Sequence, residues 1–261
     1  METVCIKIGG STLDTPEFFP DFGKSLAAVS MSCFPVVVHG GGKDIARQLD
    51  LLKKEYRFVE GMRVTDAQTV GTVQMVLSGD VNKRLVNALE TAGVTALGMS
   101  GVDCNLLSAV RMTIRGQDIG FVGEIRKVDR KIIDLCRANN IVPVISPISR
   151  DNDGNIYNVN ADVAASEIAA ALAADHLMFV SDVPGVLVNG AVQKRIMTGD
   201  IEELIAAGHI KGGMVPKVRG ARESIEKGVA QVHICGWNGK ETFVRELDPA
   251  RSSGTVILSR D

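Results

Sequence analysis

Three glycine-rich sites place flexible backbone beside a lysine, a composition suited to holding phosphate groups. They read Lys7-Ile8-Gly9-Gly10-Ser11, His39-Gly40-Gly41-Gly42-Lys43 and Gly212-Gly213-Met214-Val215-Pro216-Lys217. The first two directly follow strand-like segments, and the last two open helical ones. Backbone amides without a neighbouring Cβ, at the start of a helix, attract anions. The sites match neither the P-loop nor the G-x-G-x-x-G pattern, so they indicate phosphate chemistry outside those two classes.

Two lysines and one aspartate are the candidate reactive groups. Lys7 lies among apolar strand residues, where an unpaired ammonium is costly to bury, and this favours a function for it. Lys217 lies on a helix, where a solvated surface position is an equal alternative. Asp162 lies in the first turn of an alanine-rich helix, where a purely helix-stabilising role is an equal alternative. His39 ends a strand, and we expect it to orient the adjoining loop by hydrogen bonding.

The elements that must position these residues alternate between strand and helix along the chain. Strand-like runs cover residues 4–8, 35–38, 141–145, 177–180 and 232–235. Most lack polar alternation, which indicates that both faces of the sheet are covered. The pattern predicts an α/β fold with a mainly parallel sheet between helices.

Two further segments carry specific expectations. Apolar spacing predicts a long helix over residues 66–92, with a capping box at Thr65 and Gln68 and an end at Gly93. Residues 112–124 break the pattern. Predicted turns at Arg115-Gly116 and within residues 120–123 indicate a small antiparallel piece there.

Composition excludes several function classes. The 261 residues are 45% apolar and 4% aromatic, with a formal net charge of -2. Such a chain has no broad cationic field and few stacking platforms, so nucleic acid and anionic membranes are poor partners. The five cysteines have no metal-clip or redox spacing, which favours a reducing compartment. No signal-peptide pattern or apolar run of about 20 residues occurs. These features predict a cytoplasmic protein.

Several motifs, in order along the chain, resemble those of the amino acid kinase family, and within it the members that phosphorylate N-acetyl-L-glutamate. Besides the glycine sites, the matching motifs are Gly61-Met62-Arg63-Val64-Thr65-Asp66, Val76-Leu77-Ser78-Gly79-Asp80-Val81-Asn82-Lys83, Asn158-Val159-Asn160-Ala161-Asp162, Ser181-Asp182-Val183-Pro184-Gly185-Val186-Leu187 and Gly254-Thr255. Their combination is specific and spans essentially the whole chain. One departure is Cys104, where the pattern has glycine.

The resemblance implies transfer of a phosphoryl group from ATP to the side-chain carboxylate of N-acetyl-L-glutamate, a step of arginine biosynthesis. The implied fold is a three-layer αβα sandwich with a central, mainly parallel open sheet, forming one domain over residues 1–261. Its N-terminal lobe, residues 1–174, would bind the acylated amino acid and dimerise, and its C-terminal lobe, residues 175–261, would bind the nucleotide. A carboxylate with a reference pKa of about 4.3 is already ionised, so the reaction needs charge stabilisation and no general base.

The same resemblance assigns roles to residues. Lys7 and Lys217 would stabilise the transition state, Asp162 would orient both lysines, and Arg63 would clamp the substrate's α-carboxylate. The backbone amides of Gly9, Gly10, Gly41 and Gly42 would assist the lysines in stabilising the transition state, and Gly10 would be one of the catalytic residues. The other substrate-binding residues would be Asn158 and Asn160, with Gly41 and Gly42 also lining the pocket. The nucleotide would contact Gly9, Asp182, Val183, Pro184, Gly185, Val186, Leu187, His209, Ile210 and Lys211. Mg²⁺ would be held mainly by phosphate oxygens and water, without a dedicated protein metal site.

The sequence is also compatible with other functions. A sister kinase of another acylated amino acid, such as a carrier-linked aminoadipate, would keep Lys7, Asp162 and Lys217 and differ around Arg63 and Asn158. The Val64-Thr65-Asp66 run after Arg63 favours acetylglutamate. A non-catalytic sensor of an amino acid or nucleotide, or a structural interaction protein, would not need all three charged residues.

The expected assembly is a homodimer. The helix over residues 66–92 has apolar residues on more than one face, so one strip needs a partner. The resemblance places this helix at a two-fold interface. Arginine-inhibited relatives form hexamers through an extra N-terminal helix, whereas six residues precede Lys7 here. We therefore expect a homodimer that arginine does not inhibit.

Overall fold

The computed structural model describes residues 1–9, 12–15 and 17–259. Its strands are β1 Glu2–Ile8, β2 Cys33–His39, β3 Phe58–Val59, β4 Met62–Arg63, β5 Ala96–Ser100, β6 Leu107–Ile114, β7 Gln117–Val128, β8 Val142–Ser146, β9 Ile148–Arg150, β10 Ile156–Asn158, β11 His176–Ser181, β12 Leu187–Val188, β13 Ala191–Val192, β14 Arg195–Met197, β15 Gln231–Gly236 and β16 Thr255–Leu258. Its helices are α1 Phe18–Val29, α2 Gly42–Leu51, α3 Ala67–Gln74, α4 Asn82–Thr91, α5 Lys131–Ala138, α6 Ala161–Leu172, α7 Ile201–Ala206, α8 Met214–Glu226 and α9 Thr242–Leu247.

An eight-stranded sheet forms the middle layer, in the order β14-β16-β15-β11-β1-β2-β8-β5. Its pairs are parallel except β15 with β16. Helices α1 to α4 and α9 contribute to the apolar core on one face, and α5 to α8 contribute to the core on the other. The α/β prediction, with a mainly parallel central sheet between two helical layers, is confirmed. The division into two lobes stays a prediction, because one sheet runs through both ranges.

Strand β1 distributes its side chains between the two faces. Val4, Ile6 and Ile8 join the core formed with α1, whereas Cys5 packs on the opposite side. The Cys5 thiol lies 3.6 Å from the carbonyl of Ala165 in α6. Because side chains alternate along a strand, the side chain of Lys7 follows Cys5 to the α6 face. The period of β1 therefore brings the lysine to the helix that carries Asp162.

The helical run over residues 66–92 is continuous but not uniform. A π-helical turn, Met75–Val81, joins α3 to α4, and Gly93 follows the end of α4 with φ of 80°. The predicted capping box is wrong. Asp66 is the N-cap, and its carboxylate accepts from the amide of Thr69 at 2.7 Å. The Thr65 hydroxyl donates instead to the carbonyl of Arg63 at 2.7 Å.

The antiparallel piece is larger than residues 112–124. Strands β6 and β7 form a hairpin, and with β9 and β10 they close into a small barrel. The predicted turn at Arg115-Gly116 is confirmed, with φ of 48° and 76°. The second predicted turn, over residues 120–123, is wrong, because those residues lie inside β7.

Gly120 serves a close contact between β7 and the segment after β4. Its φ is 81°, and a Cβ there would lie 2.2 Å from the carbonyl oxygen of Thr65. The amide of Thr65 donates to Ile119 at 3.0 Å, and its carbonyl accepts from Phe121 at 2.6 Å. The glycine therefore allows β7 to fix the backbone two residues beyond Arg63.

The structure also bears on the backbone at Cys104 and on membrane insertion. Cys104 has φ of 51°, so it adopts the left-handed conformation that glycine takes more readily. Among the described residues, no helix combines the length and apolar character needed to cross a bilayer.

Candidate active site

The centre of the site is a carboxylate between two ammonium groups. Asp162 Oδ1 lies 2.7 Å from Lys7 Nζ, and Asp162 Oδ2 lies 2.6 Å from Lys217 Nζ. Strand β1, the first turn of α6 and the first turn of α8 supply these three residues. Asn160 fixes the start of α6, because its side-chain oxygen accepts from the amides of Asp162 and Val163 at 2.8 and 3.3 Å. Residues as far apart in sequence as Lys7 and Lys217 thus meet at one carboxylate, because three element ends converge there.

Burial and charge act against each other in this cluster. Burial raises the pKa of the Asp162 carboxyl, but Lys7 and Lys217 outweigh it and hold that pKa below its usual value. Burial lowers the pKa of Lys7, the Asp162 carboxylate raises it, and Lys217 lowers it further, with a net lowering. The carboxylate therefore stays ionised and cannot serve as a proton acceptor near neutral pH. One negative charge between two cations leaves a net positive site for an anionic ligand.

A cavity of about 230 Å³ opens beside this cluster. Seven of the predicted residues line it, namely Lys7, Gly41, Gly42, Arg63, Asn158, Asn160 and Asp162, together with Gly40 and Gly61. Apolar side chains complete the wall: Ile45, Phe58, Met62, Leu77, Val122 and Val159. A small, partly apolar molecule with more than one anionic group fits this lining.

Arg63 is held in a fixed orientation on the wall of the cavity. Its guanidinium carbon lies 4.3 Å from the ring centre of Tyr56 and 4.7 Å from that of Phe58, and Nη2 donates to the carbonyl of Gly42 at 3.1 Å. Nη1 is buried without a hydrogen-bond partner among the described residues. Burial lowers the pKa of Arg63. A fixed guanidinium with an unused donor suits a carboxylate ligand. The two aromatic partners were not predicted, although Tyr56 and Phe58 lie close to Arg63 in sequence.

Asn158 and Asn160 differ in which side-chain hydrogen-bonding groups remain available to a ligand. Asn158 ends β10, and its amide nitrogen lies 3.5 Å from the Thr65 hydroxyl. The oxygen of Asn160 is occupied by the α6 amides, and its nitrogen lies 4.0 Å from the sulfur of Met62. A ligand can therefore bond Asn160 only through its side-chain nitrogen.

The glycine sites differ in whether their backbone amides are available to an anionic ligand. Gly41 and Gly42 lie at the start of α2, where the first amides of a helix have no intrahelical acceptor. The Gly9 amide, in contrast, donates to Val180 at 3.1 Å. This bond contradicts the expectation that the Gly9 amide faces phosphate, because continuation of the parallel sheet pairing occupies it. Gly10 lies outside the described residues.

A second cavity, of about 600 Å³, lies in the predicted nucleotide region. Six of the predicted residues line it: Val183, Gly185, Leu187, His209, Ile210 and Lys211. Val186 is fully buried in the core instead, and its amide donates to Thr255. Asn189 and Gly190 line the cavity without having been predicted. Their Asn-Gly pair has φ of 52° and 81° and turns β12 into β13, so a hairpin signal was present in the sequence.

Asp182 and Pro184 also lie outside the lining of that cavity. The carboxylate of Asp182 accepts from the Ser181 hydroxyl at 2.9 Å. No group of three or more His, Cys, Asp or Glu side chains suited to a metal occurs within the part of the chain that the structure describes.

The fold and the site define a class of phosphoryl-transfer proteins. Residues 2–236 match the model of the amino acid kinase family, and the chain belongs to this family. Among curated relatives, the acetylglutamate kinase of Roseiflexus castenholzii is 45% identical over 237 residues, which cover 91% of this chain and 90% of the relative. The acetylglutamate kinase of Sinorhizobium fredii is 39% identical over 269 residues, covering 98% and 91%.

Solved structures share the fold. N-acetylglutamate synthase of Neisseria gonorrhoeae, in complex with coenzyme A and N-acetyl-glutamate, superposes with a TM-score of 0.89 at 23% identity. The match covers all of this chain and 60% of the synthase chain, and at that identity it concerns the fold alone. The smu.665 protein of Streptococcus mutans has a TM-score of 0.79 at 28% identity, with 98% of each chain covered.

Proposed function

We propose that this protein transfers the γ-phosphoryl group of ATP to the side-chain carboxylate of N-acetyl-L-glutamate, forming N-acetyl-L-glutamyl 5-phosphate for arginine biosynthesis. The observation that carries the proposal is the Lys7–Asp162–Lys217 cluster, with ion pairs of 2.7 and 2.6 Å, beside a cavity that Arg63 also lines. The full-length similarity to acetylglutamate kinases supports the choice of substrate.

Electrostatic stabilisation is the chemistry that these residues supply. The acceptor carboxylate is ionised at neutral pH and needs no base, so the barrier is the approach of two anions and the charge on the moving phosphoryl group. Lys7 and Lys217 would neutralise that charge from two elements, while Asp162 holds both ammonium groups in place. Such charges act strongly because they are already oriented before the reaction begins.

Substrate recognition would use hydrogen bonds and apolar contacts on the wall of the cavity. The unused Nη1 donor of Arg63, together with Nη2, would pair with the α-carboxylate. The nitrogen of Asn160 and the amide of Asn158 would bond the acylated amino group and its neighbours. The apolar wall, including Met62 and Val122, would accept the acetyl methyl group.

The nucleotide would occupy the cavity between the β12–β13 hairpin and residues 208–211. Mg²⁺ would supply charge neutralisation on the phosphates, bound mainly by phosphate oxygens and water. Asp162 would not ligate it, because both carboxylate oxygens are already engaged by lysines. The five free cysteines support a cytoplasmic location, since such thiols persist in reducing compartments.

Assembly as a homodimer through residues 66–92 completes the proposal. Met75, in the π-helical turn, is 64% exposed, and Leu97, on edge strand β5, is 41% exposed. Exposed apolar side chains on this helical run and on an open sheet edge favour a partner surface of the same kind. A two-fold axis would pair each surface with its own copy.

A single assay tests the activity. Purified protein is incubated with MgATP, N-acetyl-L-glutamate and hydroxylamine, which converts an acyl phosphate into a hydroxamate. Glutamate without the acetyl group serves as the control acceptor. Hydroxamate that depends on both ATP and N-acetylglutamate supports the proposal, and its absence at millimolar acceptor contradicts it.

A further inference from the structure

A buried asparagine with no role in the site described above lies behind the glycine loop. Asn82 begins α4 and is fully buried. Its side-chain nitrogen lies 2.9 Å from the carbonyl of Val144 and 3.4 Å from that of Met99. Its side-chain oxygen lies 3.2 Å from Lys83 Nζ. A flipped amide would turn its oxygen toward two carbonyl oxygens and its nitrogen toward an ammonium, so the orientation of the Asn82 amide is determined.

That orientation decides the protonation of His39. The same Asn82 nitrogen lies 3.1 Å from His39 Nε2. Because Asn82 presents N–H groups there, Nε2 must accept, and the single ring proton of a neutral imidazole must lie on Nδ1. Nδ1 lies 2.9 Å from the carbonyl oxygen of Gly40 and therefore donates to it. Burial lowers the pKa of His39 to about 4, which agrees with a neutral ring at physiological pH.

The hydrogen bond to Gly40 fixes a peptide plane that the cavity uses. The Gly40 carbonyl and the Gly41 amide belong to one planar trans peptide, in which C=O and N–H point in opposite directions. His39 is fully buried and holds the carbonyl from the protein interior, whereas Gly40 and Gly41 line the cavity. We propose that Asn82 is a positioning residue that sets the tautomer of His39 and thereby aims the Gly41 N–H at the transferred phosphoryl group. This inference rests on the proposed function.

The surrounding chain makes room for this arrangement. A Cβ on Gly98 would lie 2.1 Å from the side-chain oxygen of Asn82, so glycine at this position of β5 allows the amide to sit against the sheet. The π-helical turn ends at Val81, immediately before Asn82. Such turns insert a residue into a helix and shift the direction of the next side chain. The Asn82 amide therefore reaches carbonyls of β5 and β8 as well as His39 in β2.

Two substitutions of His39 separate the two ring nitrogens. His39→Asn places an amide nitrogen near the former Nδ1 and keeps a donor for Gly40, whereas His39→Gln reaches only the former Nε2 and keeps the contact with Asn82. We expect kcat to stay within about threefold for His39→Asn and to fall about 10- to 100-fold for His39→Gln. Complete removal of an oxyanion donor costs about 10²- to 10³-fold, and a donor that is only misaimed should cost less. KM for ATP and for N-acetylglutamate should change little. Equal losses of kcat in both variants would overturn the proposal.

A second measurement reads the tautomer itself. In ¹⁵N-histidine-labelled protein, with His39→Asn used to assign the signal, His39 should show a protonated Nδ1 and an unprotonated Nε2 from pH 5.5 to 8. Asn82→Asp replaces the donor by an acceptor and should move the proton to Nε2 and lower kcat to the same degree as His39→Gln. Ser78→Ala is the matched control, because it removes another helix–sheet hydrogen bond, 2.8 Å to Ser146, and should leave the His39 signal unchanged.

The outcomes separate this inference from the proposed function. A charged ring or an Nε2–H tautomer in the unmodified protein overturns the role of Asn82, whatever the activity. Absence of phosphorylation of N-acetylglutamate contradicts the proposed function, and the ring signals then still decide the orientation of His39. If Asn82→Asp does not fold, the His39→Asn and His39→Gln pair decides the positioning role.

Discussion

Lys7 Nζ lies 2.7 Å from Oδ1 of Asp162, across the junction between a central strand and the start of α6. The second oxygen of the same carboxylate binds Lys217. Without the Asp162 carboxylate, the two lysines could share this position only at a high cost in free energy, because neighbouring cations repel each other and burial disfavours their charge. The carboxylate therefore makes possible a site where two ammonium groups face one anionic ligand.

Lys217→Ala removes one of the two cations without opening the core, because Lys217 lies at the start of α8. We expect kcat to fall about 10²- to 10³-fold, as for loss of one preorganised charge, with a much smaller change in nucleotide affinity. Arg219→Ala is the matched control, since Arg219 is an exposed residue of the same helix that pairs with Glu202. Steady-state kinetics and nucleotide titration measure both effects. A Lys217→Ala enzyme with nearly unchanged kcat would remove Lys217 from the mechanism.

Arg63→Lys keeps the positive charge but loses the planar pair of donors. The rise in KM for N-acetylglutamate should be about 10- to 100-fold, because hydrogen bonds to charged groups contribute about 1.5–3 kcal/mol. KM for ATP should hardly change. Arg57→Lys, at an exposed position before Phe58, controls for the substitution itself. Parallel increases in both KM values would contradict the assignment of Arg63 to the acylated amino acid.

Gly120→Ala tests how the barrel strand β7 supports Arg63. A Cβ at Gly120 would collide with the Thr65 carbonyl at 2.2 Å, whereas a Cβ at Gly116 meets nothing within 4 Å. Both glycines have positive φ, 81° and 76°, so Gly116→Ala measures the backbone cost alone, about 1–2 kcal/mol. We expect Gly120→Ala to unfold at lower denaturant and to raise KM for N-acetylglutamate, with Gly116→Ala changing only stability. Indistinguishable variants would show that the Thr65 contact does not matter.

Gly120 also illustrates a structural feature that local sequence signals do not predict. Continuous apolar runs predicted the central strands, and a lysine inside one of them marked Lys7, because both signals are local. Gly120 was read as a turn residue, since its positive φ serves a contact with Thr65, 55 positions away in sequence. The cap was placed at Thr65 and not at Asp66 for the same reason, because the backbone bonds of Thr65 to β7 cannot be inferred from neighbouring residues.

In the candidate site, too, local sequence signals predict some of the residues, and others depend on contacts that the fold creates. Residue types and motif order brought Lys7, Asp162, Lys217 and Arg63 forward, and the structure brings the first three into direct contact. The Gly9 amide was misjudged because a glycine-rich motif does not reveal which amide the sheet already uses. Asn82 was not singled out, because its acceptors lie on three separate strands that only the fold brings together.

Met75→Glu tests the proposed homodimer. A carboxylate in the middle of an apolar two-fold surface would face its own copy, and like charges at close range oppose association. We expect light scattering to report a dimer for the unmodified protein and a monomer, or a dimer weakened at least 10-fold, for the variant. Leu51→Glu is the matched control, since Leu51 is 72% exposed on α2, outside residues 66–92. Dissociation by both variants, or by neither, would contradict this interface.

His233→Gln tests the effect of a buried histidine on acid stability. Burial, together with neighbouring His176, lowers the pKa of His233 to about 4 from the usual 6.5. The folded protein therefore keeps this ring neutral while the unfolded chain protonates, so its stabilising effect is complete above pH 6.5 and is lost as the pH falls toward 4. In that window each such histidine lowers the free energy of unfolding by about 1.4 kcal/mol per pH unit. His39, with a pKa also near 4, acts in the same direction.

Urea unfolding between pH 4.5 and 7.5 measures how the free energy of unfolding depends on pH. This dependence should have a shallower slope for His233→Gln than for the unmodified protein, while His209→Gln, at an exposed position, should keep the steeper slope. Equal slopes for the unmodified protein and His233→Gln would show that His233 takes up protons equally in the folded and unfolded states, which contradicts a lowered pKa.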